Sequence, residues 1–385
     1  MIQLLKQFFK QRTTITGIAV AILFQLVFSV VWMTGYKEVN DRFDQLRLVI
    51  VNEDQEAGAI LADTLAQSLP FHTEIAAAAA DAESMLIERA AQMVITIPSG
   101  FHERLGQPGG GSIPLSFTIN ESNPSMIKSI MQNVASELTA TVDLQATTAG
   151  VQAVLKQAGM PEEQARAVSS GVTGRVAKEI HSLYPVERMS DSMVPLMMVL
   201  ASFVGSMLFS MNLMQSMQGI GTGYSKWSKY FVLLLLSVGT AVTVSAVGTT
   251  MVMLLGDTYS SGFGSVWAFQ MLFLLAFIVF TQMFVLLFGM AGMLFNIIGL
   301  SVQLVTSGAL VPTVLLSDTY RQISEYLPAT YAVEGVMNLL FGGDGIGSAV
   351  RMLIVIMLVS IVVGAAAVAL RGFSREAASA ERAPV

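Results

Sequence analysis

TITGIAVAILFQLVFSVVWM, residues Thr14–Met33, carries no charged side chain over its whole length. A bilayer core of ~30 Å is crossed by about 20 helical residues at ~1.5 Å each, so this stretch reads as a membrane-spanning helix. In front of it, Leu4, Leu5, Phe8 and Phe9 alternate with Lys6 and Lys10, the pattern of an amphipathic helix over residues 1–13 lying in the inner interface. Behind it, Trp32 and Tyr36 suit an aromatic belt, giving a first span over residues 14–36. A secretory signal peptide would also begin with basic residues and an apolar core. This run is too long for one, however, and no small-residue cleavage site follows closely, so it reads as a retained anchor. Five further runs follow a long polar stretch: Met193–Met214, Tyr230–Leu255, Val266–Phe288, Met290–Val314 and Val350–Leu370. The bulk composition agrees, with 53% hydrophobic and 12% charged residues against roughly 25% charged in a soluble domain.

Basic residues in short segments stay cytoplasmic. Lys6, Lys10 and Arg12 precede the first run, Lys226 and Lys229 lie between the second and third, and Arg371 and Arg375 follow the last. Six spans put all three segments on one side, with both termini in the cytoplasm and a short tail at 372–385. The polar stretch 37–190 then falls outside. With Asp191 it holds 20 Asp and Glu against 11 Lys and Arg, a balance that does not suit nucleic acid or anionic lipid. The absence of cysteine removes disulfide staples, thiol nucleophiles and thiolate metal sites, so this outer domain depends on its own core.

Within the outer stretch, Leu46–Val51, Met93–Ile97 and Pro114–Ile119 are short β-branched runs closed by breakers, and Ala57–Leu69 and Glu83–Ala91 have helical character between the first two. Strands alternating with helices predict a small α/β sheet. From Ser125, Ile127, Ile130, Val134, Leu138 and Val142 step by three or four as one face of a long helix. Pro161 before Glu162 and Glu163 marks a second helix start. The expectation is a helical hairpin returning the chain to the membrane at Tyr184–Pro185. The fold class is therefore an α-helical polytopic membrane protein of six spans, with an extracytoplasmic α/β domain carrying a long helical hairpin and a membrane core over 191–371.

The spans contain almost no ionisable group, which argues against a proton- or sodium-coupled carrier. Gln25, Asn212, Gln282, Asn296 and Gln303 either line a path or bond between helices, with the second role the commoner one. Gly308 and Pro312 break a helix near the outer leaflet, and freed backbone groups there need protein or water partners. Leu316–Gly342 mixes apolar and charged residues, as a re-entrant or surface-lying segment would. Glu334 is the acid in its apolar part, with Arg351 a candidate partner. Catalysis has little support: His72, His102 and His181 lack metal-ligand spacing, no G-x-S-x-G turn occurs, and Gly109–Gly111 before Ser112 reads as a flexible loop. Asn120-Glu121-Ser122 fits a glycosylation sequon. No catalytic residue, resident cofactor or metal site is expected.

The layout of one anchor, an outer α/β domain with a helical return and five closing spans resembles the ABC-2 type membrane subunits, especially their YhgE/Pip-like branch. Ile97-Pro98-Ser99-Gly100-Phe101 with Leu105 is similar to the IPxGF segment of that branch. Ser307-Gly308-Ala309 with Pro312, Tyr326-Leu327-Pro328-Ala329-Thr330-Tyr331-Ala332 and Gly342-Gly343 resemble its signature between the fifth and sixth spans, with Ala309 where relatives often carry a second glycine. The resemblance covers essentially the whole chain and implies a half-transporter in the cell membrane, exporting an apolar or amphipathic molecule, paired with itself or a related permease. The chain has no G-x-x-x-x-G-K-[ST] phosphate loop, so the resemblance places ATP and magnesium on a separate ATP-binding subunit. It also implies a coupling helix in Ser216–Lys229, pointing to Tyr224, Ser225, Lys226, Trp227 and Lys229. A lid that gates a path, around Gly308, Pro312, Pro328 and Glu334, is the physical reading of the same residues, and a kinked helix with an ordinary loop is its alternative. The other reading is a non-transporting surface receptor or secretion-apparatus scaffold that binds partners through its outer domain.

Overall fold

The computed structural model describes residues 31, 34–36, 38–106, 112–157, 176–186, 188–219, 224–256 and 259–371. The interface helix at 1–13, the first apolar run up to residue 30 with Gln25, the glycine loop at 109–111, the helix start at Pro161 and the tail at 372–385 lie outside the described residues. The chain divides into two compact units, one formed by Glu38–Arg188 with Phe341–Asp344 and the other by Met1–Lys37, Met189–Leu340 and Gly345–Val385.

In the first unit, five strands, β1 (Arg47–Asn52), β2 (His72–Ala76), β3 (Met93–Ile97), β4 (Ile113–Asn120) and β5 (Val176–Leu183), form one sheet in the order β2-β1-β3-β4-β5. β1 pairs parallel with β2 and β3, β3 antiparallel with β4, and β4 parallel with β5. The helices α1 (Gln55–Ser68) and α2 (Ala79–Ile87) make the crossovers among the parallel strands, and α3 (Phe101–Gly106) and α4 (Ser125–Gln157) follow β3 and β4. β1 is buried at all four central positions. A parallel strand covered on both faces is apolar throughout rather than alternating, which is why Leu48-Val49-Ile50-Val51 is legible as a strand. Val49, Val51 and Val94 pack with Ala82, Leu86 and Ala91 around α2. By alternation, Leu48 and Ile50 serve the opposite face.

The three strands expected from β-branched runs are present within a residue of their predicted bounds, whereas β2 and β5 carry no such run. Both are edge strands. β5 exposes Lys178, Glu179 and His181, charges that discourage pairing with further strands. The expected return helix is therefore corrected at its end: Val176–Leu183 is a strand, started by a hydrogen bond from the Val176 amide to Asp143 Oδ1 of α4 at 2.8 Å. The buried stripe of α4 also differs, running through Ile127, Met131, Ala135, Leu138 and Val142, with Ile130 and Val134 half-buried beside it.

In the second unit, the long helices are α5 (Val194–Gly219), α6 (Lys226–Leu255), α7 (Phe263–Phe288), α8 (Gly292–Thr306) and α11 (Gly347–Arg371), with α9 (Asp318–Ser324) and α10 (Pro328–Leu340) between the last two. Four stretches among the described residues are long and apolar enough to cross a membrane: Val194–Met217, Lys226–Leu255, Phe263–Thr306 and Gly347–Leu370. The third is 44 residues long, roughly 66 Å as a straight helix and twice what a bilayer needs. It is broken at Gly289, where φ is +64°. α8 folds back along α7, as the hydrogen bond from Asn296 Nδ2 to the Thr281 carbonyl (3.2 Å) and the stacked rings of Phe288 and Phe295 (4.4 Å) require.

The run expected to span as Met290–Val314 is α-helical only from Gly292 to Thr306, with short 3-10 turns at Gly289–Ala291 and Thr313–Leu315, since Gly308 takes φ +78° and Pro312 is extended. After it, α10 buries ten of its thirteen residues against α5, α7, α8 and α11. Leu316–Gly342 thus forms two short helices, the second of which is packed inside its unit.

Candidate functional site

α7 is the hub of the second unit, packing on α11, α6 and α5. Its polar side chains fasten it to each neighbour it meets through a polar group. Thr281 Oγ1 lies 2.8 Å from Ser210 Oγ of α5. Gln282 Nε2 donates to Ser237 Oγ of α6 at 2.8 Å, and Gln270 Oε1 accepts from Thr249 Oγ1 of α6 at 2.7 Å. Asn296 joins α8 to α7 as described, and Gln303 Oε1 accepts from the Ala329 amide at the start of α10 at 3.1 Å. All of these side chains are buried. In an apolar surround an unpaired amide or hydroxyl is costly, so the ties select one arrangement of helices.

Of the path candidates, Gln282, Asn296 and Gln303 are therefore interhelical fasteners. Asn212 is exposed on α5 and bonds back to the Leu208 carbonyl at 2.8 Å. Glu334 accepts from Ser348 Oγ at 2.9 Å, so its partner is that hydroxyl rather than Arg351. Gly308 and Pro312 shape the turn after α8, and Pro328 opens α10. A double-mutant cycle on Gln282→Leu and Ser237→Ala, read by detergent-induced unfolding, is expected to return a coupling of about 0.6 kcal/mol. A coupling indistinguishable from zero would show that the bond contributes nothing.

The partners Ser210, Ser237, Thr249, Gln270 and Thr281 were not singled out from the sequence. Serine and threonine are unremarkable in spans because they satisfy themselves on the carbonyl one turn back. A usable signal does exist on α6, where Ser237, Ala241, Ser245 and Thr249 recur every four residues and are all buried.

The loop before α6 holds the second group of candidates. Ser225 caps the helix, accepting from the Ser228 amide at 3.2 Å. Lys226 Nζ donates to the Ala369 carbonyl in the last turn of α11 at 2.6 Å, where a cation also meets the negative end of the helix dipole. Tyr230 OH bonds to the Ile361 carbonyl at 2.7 Å. The N-terminus of α6 is thereby pinned to α11, while Tyr224 and Trp227 are 70% and 50% exposed. Trp227 is braced edge-on by Tyr230, with ring centroids 6.5 Å apart. Lys226 is thus a structural cap, and Tyr224 and Trp227 are the aromatic side chains that this connection leaves exposed. Lys226→Met is expected to speed hydrogen exchange in the last turn of α11 several-fold while leaving that of α7 unchanged.

In the first unit the polar centre is Asn120-Glu121-Ser122-Asn123, all buried. Glu121 accepts from Lys128 Nζ (2.6 Å), Ser182 Oγ (2.6 Å) and the Val186 amide (3.2 Å). Burial alone would raise the Glu121 pKa, but these hydrogen bonds and the Lys128 charge outweigh it and hold the carboxyl below its ordinary value. Arg89, with φ +60°, donates to Ser122 Oγ (3.0 Å) and to the Gly342 carbonyl (3.4 Å). Gly342, at φ +115°, lies flat against the Tyr184 ring where a Cβ would not fit. Asn120 Nδ2 is fully buried and donates to the Leu86 carbonyl at 2.9 Å, so the sequon is closed to glycan attachment in the folded unit. Among the described residues no three His, Asp or Glu side chains are placed to hold a metal ion.

A family model described as ABC-2 family transporter protein matches residues 12–369. No curated protein and no solved structure matches the chain.

Proposed function

The chain belongs to the ABC-2 transporter family, and from that membership we propose that it is the membrane subunit of an ATP-driven exporter of the YhgE/Pip-like branch. In this reading the first apolar run, α5, α6, α7, α8 and α11 make six passes of the cell membrane. Both termini are cytoplasmic, and the unit built on the β-sheet is extracytoplasmic. A separate subunit binds and hydrolyses ATP, and two copies, or this chain and a relative, enclose the path. The low charge of the helices suits an apolar or amphipathic cargo moving outward. Closure of the ATP-binding subunits would act on the α5–α6 connection, and the polar ties would pass the displacement through α7 to α5, α6 and α8, and through Lys226 and Tyr230 of α6 to α11.

The observation that carries the proposal is the match over residues 12–369 in a chain without a phosphate loop of its own. The exposed Tyr224 and Trp227 on an otherwise pinned connection support the docking role. The experiment is affinity purification from the native membrane in mild detergent, followed by identification of co-eluting chains and an ATPase assay. A nucleotide-binding chain is expected with the wild type and with Lys226→Met, and is expected to be lost with Tyr224→Ala combined with Trp227→Ala. Recovery of surface proteins without any nucleotide-binding chain would replace the transporter reading with the receptor or scaffold one.

A further inference from the structure

In the second unit α5, α8 and α10 pack on one another pairwise. Where they meet they leave a small cavity between Leu200 and Phe203 of α5, Leu300 and Gln303 of α8, Ser307 at the end of α8, and Ala329 of α10. The room in it for the centre of a water molecule is about 10 Å³. That is enough for one water and too little for a metabolite or an acyl chain. Gln303 and Ser307 lie one turn apart on one face and are 2% and 4% exposed, so the wall carries two buried polar side chains.

The Gln303 amide has one end tied and one end free. Its Oε1 accepts from the Ala329 amide at 3.1 Å. Because that partner can only donate, the oxygen is fixed at this end and Nε2 at the other. Nε2 is shielded from solvent, and no group of the described residues accepts from it. A buried amide donor without an acceptor is costly in an apolar surround. Ser307 supplies the complementary half. Its hydroxyl donates to the Leu304 carbonyl at 3.2 Å and accepts from the Ala309 amide at 3.4 Å, which leaves one lone pair of the oxygen for a further donor. Residues four apart on a helix hold their Cβ atoms about 5–6 Å apart. One water spans such a gap, which Nε2 does not close by a direct bond.

We propose that this cavity is a binding site for one ordered water molecule, which accepts from Gln303 Nε2 and donates to Ser307 Oγ. The last four carbonyls of a helix lack intrahelical partners. At the end of α8 those of Leu304 and Thr306 take the Ser307 and Thr330 hydroxyls, and the second hydrogen of the water is offered to this same turn. The water joins the end of α8 at the junction that the bond from Ala329 to Gln303 already holds. The site rests on the packing of α5, α8 and α10 and is independent of the ATP-driven reading.

The test is hydroxyl-radical footprinting by synchrotron radiolysis of the full chain in lipid nanodiscs, with oxidised residues mapped by peptide mass spectrometry. A bound water split in place oxidises the side chains that touch it, even where bulk solvent does not reach them. Phe203 is compared with Phe273 and Phe117, which are of the same residue type and equally buried but do not line the cavity. Phe203 is expected to be oxidised several-fold faster than either. Ser307→Ala leaves the bond from Ala329 to Gln303 in place. It is expected to bring Phe203 down to the rate of Phe273, with hydrogen exchange at the start of α10 unchanged. Gln303→Met is expected to lower Phe203 oxidation likewise while speeding that exchange. A wild-type rate at Phe203 no higher than that at Phe273 would overturn the proposal, the cavity then being dry. A high rate that neither variant lowers would overturn it as well, since the oxidant would then be solvent entering from outside rather than a water held by these two side chains.

Discussion

Glu121→Ala is expected to cut the stability of the sheet-bearing unit by about 2–4 kcal/mol, because it strands three donors at once. Lys128 Nζ, the Ser182 hydroxyl and the Val186 amide all converge on this carboxylate. Breaking a buried ion pair from one side typically costs ~3–5 kcal/mol. Lys128 keeps 30% of its side chain in solvent and can rehydrate, which lowers the figure. The readout is hydrogen exchange of the peptides spanning β5 and residues 184–186 in the full chain, where protection should fall by two orders of magnitude or so. Unchanged protection would mean that the pairing of β4 with β5 holds this segment without the carboxylate.

The same group gives the unit a pH dependence. Glu121 is held below its ordinary value, so its folded pKa is lower than its unfolded pKa of about 4.3. Its contribution is therefore fully present above about pH 4.3 and is lost as the pH falls through the folded value. In an acid titration of the exchange rates, Glu121→Gln is expected to remove this component from the wild-type curve. A residual acid step of the same size in the variant would assign it to other carboxylates.

Gly292→Val is expected to prevent the second unit from folding, with the protein lost to degradation or recovered only as aggregate. A Cβ at residue 292 would fall on the backbone carbonyl of Phe284, with the Val285 amide close behind. Backbone cannot rotate away as a side-chain tip can, so the α7–α8 reversal must open. That opening separates Asn296 from the Thr281 carbonyl and unstacks Phe284 and Phe288 from Phe295. The combined loss of overpacking, buried hydrogen bonding and aromatic contact is of order 4 kcal/mol or more. Gly299→Ala, two turns further along the same helix, meets only ordinary contacts and serves as the control; it should be recovered at wild-type yield. Comparable yields for Gly292→Val and Gly299→Ala in size-exclusion profiles would refute the close-approach argument.

Much of the architecture was readable because two periodicities dominate it. Long uncharged runs announced α5, α6, α7 and α11, and unbroken β-branched runs announced β1, β3 and β4, the strands with neighbours on both edges. The edge strands β2 and β5 were not readable because an edge need not be apolar: His72-Thr73-Glu74-Ile75-Ala76 and Val176–Leu183 carry polar residues that a central strand would exclude. The stop at Thr306 was partly readable through Gly308 and Pro312, but hydropathy alone carried the expected span on to Val314. At the candidate site, amide side chains were conspicuous as polar letters in apolar text. Whether Gln282 or Gln303 pointed at a neighbour or at a path depended on helix pairing that no single sequence reveals. Lys226 illustrates the same limit, since its acceptor is a carbonyl 143 residues further along.

The sheet-bearing unit is discontinuous in the chain: its last four residues, Phe341–Asp344, come more than 150 positions after Arg188. Arg89 and Tyr184 must wait for Gly342 while α5 through α10 are synthesised. At translation rates of about 5–20 residues per second, that interval is roughly ten to thirty seconds. During it, the unit can pair its strands but cannot seat the Arg89 guanidinium on its final acceptor. Quality control that recognises an unfilled slot beside Tyr184 would thus read out whether the helices in between have been made, so completion of this unit reports on nearly the whole chain.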